Sequence, residues 1–454
     1  MWVLSRVTYG IVPVAMGLGL LCAGCSSAHP SAAHPSASTR SATTQLATLS
    51  CAWPIAVNAD TLSANSELNI HNPDTASAYW LMAYTVEDGM RLTLSGHFPD
   101  SRYMSLEVYT SDGLPFSANG VGSALADYQI APDPGSVNPW QHEAAPGGSF
   151  TVTLEPDASP GQANVLPLAP AGTPAGTTGL IFLRVYVPAY GNPRQVPLPA
   201  VTVTLDGASR QLPTCPASSA LNSQAAAQVR RALGLSLPAS GSTPAGSAPA
   251  GIGRGEIVPF ALGSAAVGST PDTDTRYLSA VAEPPQDGDV LVIRARAPTV
   301  PAGPAPVPWP APGVDVRYWS ICNDLLASPT PVVVNHLPHE KVDLGCRYDR
   351  QIALDRQGYY TIVIGAESQR AAIERIPGAT FIPWSLADPG QPYKIYLRNM
   401  LPNPAFAEAI QNVPANGDPA SAATVMGPYY PRLGFCSLRI LAASGPDACL
   451  AGPA

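Results

Sequence analysis

The sequence predicts a mainly β protein made of two tandem, diverged copies of a β-sandwich or jelly-roll-like domain, with few short helices. Short runs such as "RLTLSG", "FTVTL" and "AVTVTL" alternate β-branched or aliphatic residues with polar ones, the period-two pattern of half-buried strands. Gly, Pro, Asp and Asn punctuate these runs at turn spacing. At 454 residues the chain exceeds what one hydrophobic core usually supports, which favours two domains.

Internal repetition carries the copy number. Seven blocks recur in one order. P-D-T-x-(S/T)-x-Y runs from Pro73 to Tyr79 and from Pro271 to Tyr277. A D-G block follows, from Asp88 to Pro99 and from Asp287 to Pro298. R-Y-(M/W)-S-(L/I) spans Arg102 to Leu106 and Arg317 to Ile321, and D-x-Q-I-A-x-D spans Asp127 to Asp133 and Asp349 to Asp355. Then come Gly148 to Leu154 with Gly358 to Ile364, Val165 to Pro167 with Phe381 to Pro383, and Ile181 to Pro188 with Ile395 to Pro402. The distance from Arg102 to Arg184 is 82 positions and from Arg317 to Arg398 is 81, a register that chance does not give.

In chain order, residues 7–21 are an apolar run behind Arg6, too short and too interrupted to span a bilayer as a helix, and they read as a signal-peptide core. The run ends in Leu21-Cys22-Ala23-Gly24-Cys25, which resembles a bacterial lipoprotein box with Cys25 as the acylated residue; Cys22 departs from the usual Leu. Residues 1–24 are therefore expected to be a lipoprotein signal peptide and 25–49, rich in Ser, Ala, Thr and Pro, a disordered tether with a reach of about 27 Å. Copy one is expected over 50–215. A short helix at 219–233 and a flexible stretch through "GIGRG" make a linker over 216–255, and copy two with a C-terminal extension fills 256–454. A further helical pattern, "AFAEAIQNV", lies at 405–413.

The formal charge is −8, and of 24 cations only Lys341 and Lys394 are lysines. With no basic cluster, nucleic acid is not an expected partner. Once Cys22 and Cys25 are set aside, Cys51, Cys215, Cys322, Cys346, Cys436 and Cys449 form an even set for an oxidising compartment. Their positions favour Cys51–Cys215, Cys322–Cys346 and Cys436–Cys449.

No side-chain constellation declares a reaction, and neither a cofactor nor a metal is expected. Arg102, Arg317, Arg184 and Arg398 are the candidate ligand-binding cations, since a planar fork on a strand can hold an anionic or hydroxylated ligand. Because they recur in both copies, structural pairing with the repeated Asp127 and Asp349, or Asp133 and Asp355, is the favoured reading. Trp309, Tyr429 and Tyr430 could form an aromatic platform, or simply seal a core, which is preferred. His336, His339 and Glu340 have the wrong order for a helical zinc motif, and His142 with Glu143 has no equivalent in copy two; both groups read as surface loops. The copies differ most at 134–147, at 299–313 and beyond 403, where a function would be housed.

The strings "RYWSICND", "GYYTIVI", "IYLRNMLP", "FAEAIQNV" and "MGPYYP" together resemble an uncharacterised family of exported bacterial proteins and lipoproteins of the high-GC Gram-positive type, and "RYMSLEVYTSDG" resembles paired β domains of unknown function. The resemblance implies a β-rich fold and a cell-envelope setting, with no activity attached. Function is read as a lipoprotein anchored at Cys25 on the outer face of the cytoplasmic membrane, whose two domains face each other and bind an envelope glycan, lipid or peptide. A structural or protein-interaction role is the alternative, and an extracytoplasmic hydrolase a lesser one.

Overall fold

A computed structural model describes residues 50–64, 66–143, 147–216, 224–227, 257–263, 270–286, 288–327 and 329–451. The expected signal peptide, Cys25, the tether and most of the 216–255 linker lie outside them; of the expected 219–233 helix, 224–227 are described and are helical. No described helix is long and apolar enough to cross a membrane.

Copy one begins with β1 (Ile55–Val57), β2 (Ser77–Thr85), β3 (Arg91–His97) and β4 (Ser101–Tyr109). A small hairpin of β5 (Ser117–Ala118) and β6 (Val121–Gly122) leads to β7 (Ala124–Ala126). It continues with β8 (Ser149–Glu155), β9 (Val165–Pro167), β10 (Thr178–Pro188), β11 (Ala200–Leu205) and β12 (Ala208–Leu212). One sheet has the order β1-β2-β10-β4-β7 and the other β12-β11-β3-β8-β9. The β8–β9 pair is parallel.

Copy two repeats the plan with β13 (Ile257–Val258), β14 (Ala261–Leu262), β15 (Thr275–Ala282), β16 (Asp289–Arg296) and β17 (Val316–Leu325). A hairpin of β18 (Val334–Leu337) and β19 (Lys341–Leu344) precedes β20 (Cys346–Tyr348), β21 (Tyr359–Gly365), β22 (Ala379–Pro383), β23 (Tyr393–Pro402) and β24 (Arg432–Ser437). Its sheets are β14-β15-β23-β17-β20 and β13-β24-β16-β21-β22, and β21–β22 is again the parallel pair. The protein is thus mainly β, with two sandwiches in tandem and few short helices.

Each sandwich closes because alternate residues of its two sheets are apolar. Leu92, Leu94, Phe150, Val152 and Leu154 from one sheet of copy one meet Met82, Leu106, Ile181 and Leu183 from the other, all buried in one cluster. Ile293, Ile362, Ile364 and Leu433 meet Trp319, Ile321, Ile395 and Leu397 in copy two. Each such side chain contributes about 1.5–3 kcal/mol when fully buried. Strands β4 and β17 break the half-buried pattern: every residue of both is buried. One face of each belongs to its own sandwich and the other lies against the opposite copy.

Disulfides join Cys51 to Cys215, Cys322 to Cys346 and Cys436 to Cys449. The first ties the two ends of copy one, where Ala52 also bridges to Thr214.

Two expectations are corrected. The segment 405–413 is not an α-helix; it forms turns with a single 3-10 turn at Ile410–Asn412, because Phe406, Ala409, Ile410 and Val413 are all drawn into the copy-two core. The region beyond 403 is more than an extension, since β24 pairs with β16 along Asp289–Arg294. In copy one the strand on β3 is β11, so the tail supplies an integral strand that copy one takes from "AVTVTL".

Candidate functional site: the junction of the two copies

The junction is built by repeated residues that cross over. Arg102, at the start of β4, is fully buried and donates from Nη1 to both oxygens of Asp349 in copy two at 2.7 and 2.6 Å. Its copy-two counterpart Arg317 donates to both oxygens of Asp127 in copy one, each at 3.0 Å. Both carboxylates also cap their own copy, Asp127 accepting from Met104 N at 2.8 Å and Tyr128 N at 2.6 Å. The pairs are reciprocal, as across a two-fold axis.

The loops that differ between the copies meet on these arginines. Trp140, from 134–147, donates its indole N–H to Arg102 O at 3.2 Å. Trp309, from 299–313, donates its backbone N–H to Trp140 O at 2.9 Å and lays its ring 4.6 Å from the Arg317 guanidinium. Arg102 Nε donates to Gly303 O at 3.1 Å.

The P-D-T segments cross as well. Asp74 Oδ2 in copy one accepts from Tyr318 Oη at 2.8 Å and Ser320 Oγ at 2.6 Å in copy two. At the equivalent place Tyr103 Oη lies 3.3 Å from Asp272 Oδ1 and donates to Asp274 Oδ2 at 2.7 Å. Arg184 on β10 donates to Glu107 at 2.8 Å and to Thr270 O of copy two at 2.8 Å, while Arg398 on β23 donates to Asn72 O of copy one and to Cys322 Sγ at 2.7 Å. Val187 and Leu401, at matching ends of β10 and β23, both adopt positive φ, 50° and 43°, a costly conformation for such side chains that their places in the shared aromatic cluster hold.

Beside this lock lies a cavity of about 710 Å³ lined from both copies. Side chains alternate along a strand, so Tyr79, Leu81, Phe182, Arg184 and Tyr186 face it while Trp80, Met82, Ile181 and Leu183 face the core. Tyr277, Lys394, Tyr396 and Arg398 face it from copy two. His71, Asp272 and Thr275 also line it, and among the described residues the buried His71 Nε2, Asp272 Oδ2 and Thr275 Oγ1 have no hydrogen-bond partner.

Burial dominates the titration of the junction. It pushes the carboxyls of Asp274 and Asp324 up to about 7 and that of Glu107 up to about 8, against the pull of Arg184 on the last. It lowers the His71 imidazole to about 4, so that ring is neutral near pH 7.

The cations singled out from sequence therefore separate by role. Arg102 and Arg317 are engaged in crossed pairs and do not line the cavity, whereas Arg184 and Arg398 do. Trp309, Tyr429 and Tyr430 form no common platform: Trp309 covers Arg317, Tyr429 meets Phe406 edge-on, and Tyr430 Oη bonds both Phe260 N and Phe260 O. They serve as seals because each has a packing partner to satisfy. His336, His339 and Glu340 are exposed on the β18–β19 hairpin and His142 and Glu143 are exposed in their loop. Asp74, Cys322 and Cys346 have ligand-like spacing, but both sulfurs are bound in the disulfide and offer no thiolate. Asp74, Tyr103, Tyr318 and Lys394 carry no site motif in the sequence; the first three stand inside repeated blocks, and Lys394 is a rare lysine at a position where copy one has Leu180.

No protein-family model matches the chain, and no curated protein does. An uncharacterised protein from Burkholderia cenocepacia is similar at 12% identity, with 84% of this chain and 81% of that one covered and a TM-score of 0.44. The VPA0106 protein from Vibrio parahaemolyticus is 11% identical, with 81% and 90% covered and a TM-score of 0.36. These likenesses are too distant to bear on function.

Replacing Arg102 by Ala leaves Asp349 buried without its cation, and chemical denaturation is expected to show a loss of about 3–5 kcal/mol. The paired change Arg102→Met with Asp349→Leu recovers most of it; equal losses in both variants would contradict the pairing. A pH effect follows from the raised carboxyls. Their folded values exceed the unfolded range near 4, so between about pH 4 and 8 the folded state binds more protons and stability falls as pH rises. His71 acts in the opposite sense, but only below its unfolded value near 6.5. The melting temperature is thus expected to be higher at pH 6.5 than at pH 8.5, with the gap narrowed in Asp324→Asn; a rise with pH over that window would refute the assignment.

Proposed function

We propose that the chain is an exported, lipid-anchored cell-envelope protein that binds an envelope ligand, a glycan, lipid or peptide, in the cavity between its two copies. The observation that carries the reading is that cavity. Its volume of about 710 Å³ falls within the range of about 300–1,000 Å³ of small-molecule sites, it lies at a domain junction where such sites concentrate, and it combines apolar walls with convergent cations and unpartnered polar atoms. Three disulfides suit an oxidising compartment, and the Cys25 motif suits attachment to the outer face of the cytoplasmic membrane.

Two other readings have less support. A flat protein-docking surface would need a contiguous apolar patch; among the described residues only Val137, Ile257, Val342, Leu354, Leu386 and Ile440 are exposed large apolar side chains, and the reading has no further observation behind it. A hydrolase would need a nucleophile open to substrate beside its base; the Ser320 hydroxyl that meets Asp74 is fully buried, Asp74 also accepts from Tyr318, and no described histidine pairs with that serine.

Native mass spectrometry of the mature protein from its own envelope is expected to show one ligand per chain. Gly263 lines the cavity, has ordinary φ, and a Cβ there would meet nothing nearer than Ser279 Oγ at 3.8 Å. Gly263→Trp should therefore remove the ligand without changing the melting curve, and a variant that retains it would place binding elsewhere. Cys25→Ser should move the chain from the membrane to the soluble fraction; unchanged fractionation would refute the anchor.

A further inference from the structure

The two walls of the cavity have diverged in opposite chemical directions from one repeated frame. Counting from the matched Arg184 and Arg398, Phe182 of copy one corresponds to Tyr396 of copy two and Leu180 to Lys394. Copy one adds Ile55, Val57, Leu68 and Leu81 to the lining, with Glu67 and His71 among them, whereas copy two adds Thr275, Arg276 and Lys394, with Asp272 and Leu262 among them. The copy-one wall is the more apolar, part of a cluster that extends to Val332 of copy two, and the copy-two wall carries Arg276 and Lys394 beside Asp272.

The cations lining the cavity are not alike. Arg184 and Arg398 are buried with their donors engaged by protein groups. Lys394 is half-buried, with its ammonium 4.7 Å from the Tyr396 ring centroid, and forms no ion pair among the described residues. Asp324 lies directly across the ladder from it, but Asp324 Oδ2 accepts from Asn72 at 3.0 Å. Arg276 is exposed at the cavity and likewise unpaired. The Asp324 carboxylate attracts the Lys394 ammonium across the ladder, and a bound anion would add a second partner for that ammonium and a first for Arg276, while the neighbouring wall holds an apolar body.

We infer that the ligand is an amphipathic anion: an acyl-like chain lies against Leu81, Phe182 and Leu68, and its carboxylate or phosphate head sits at Lys394 and Arg276. The inference rests on the proposed binding role of the cavity. His71 and Thr275 add neutral hydrogen-bonding groups for a hydroxyl or ester near the head.

The test uses the full mature chain and three probes of equal chain length: a fluorescent long-chain carboxylate, its methyl ester, and the alkyl phosphate as competitor. The carboxylate is expected to bind one per chain and to be displaced by the alkyl phosphate, and the ester to bind about tenfold or more weaker. Lys394→Met should weaken the carboxylate by a similar factor and leave the ester unchanged, while Gly263→Trp should weaken both. Affinity for the carboxylate should also fall with added salt, since Arg276 is exposed to screening. Ester and acid bound equally, with Lys394→Met silent, would overturn the anionic head and leave cavity binding intact. Binding unaffected by Gly263→Trp would overturn the cavity itself, and no binding of any probe while a neutral glycan co-purifies would overturn the amphiphile.

Discussion

Two buried guanidinium–carboxylate pairs that cross between the copies are the constraint on which this molecule depends. Arg102 and Arg317 are fully buried, and each finds its carboxylate in the opposite sandwich. A buried pair is stable only when complete, because a single charge left in the interior costs several kcal/mol. Neither sandwich can therefore satisfy its own arginine, and the complete burial of β4 and β17 follows from the same crossing. The reciprocity has the logic of an isologous dimer interface, here within one chain. The paired loops around Trp140 and Trp309 close the arginines from solvent.

Once the crossing fixes the frame, divergence at matched positions produces the chemistry. Glu107, the partner of Arg184, corresponds to Cys322, which is held in a disulfide. Arg398 consequently lies 3.8 Å from Asp74 of the other copy and bonds sulfur and a backbone carbonyl instead of a carboxylate of its own strand. Ala76 corresponds to Asp274, which takes the Tyr103 hydroxyl and leaves one oxygen of Asp272 at the cavity without a partner among the described residues. Such departures from symmetry gather carboxyls with raised values beside the cavity, and they give its two walls different character.

The fold was legible because β structure and duplication both leave marks in sequence. Alternation in "RLTLSG" and "AVTVTL" gave strands, and the blocks gave the copies; cysteine positions anticipated the disulfides. What stayed hidden is what depends on the second copy. Arg102 on an apolar strand face calls for a carboxylate, and Asp349 is among the repeated candidates, but no local pattern says that the pair crosses between sandwiches. The strand at Arg432–Ser437 escaped because "RLGFCS" lacks the alternation of "AVTVTL". The apparent helix at 405–413 reflects apolar spacing that packs equally well as turns. Lys394 carries a faint signal, as one of two lysines in the chain, and its contrast with Leu180 at the matched position of copy one depends on the register of the repeat.

Hydrogen exchange resolved along the chain tests the crossed lock most directly. Arg317 belongs to copy two, yet its hydrogen bonds run to Asp127 and Arg102 of copy one. In Arg317→Met, protection is predicted to fall in Ser101–Tyr109 and Ala124–Ala126 of copy one as much as in Val316–Leu325. Loss confined to copy two, with copy one as protected as in the unaltered chain, would contradict a structure held together by exchange of charges between its halves.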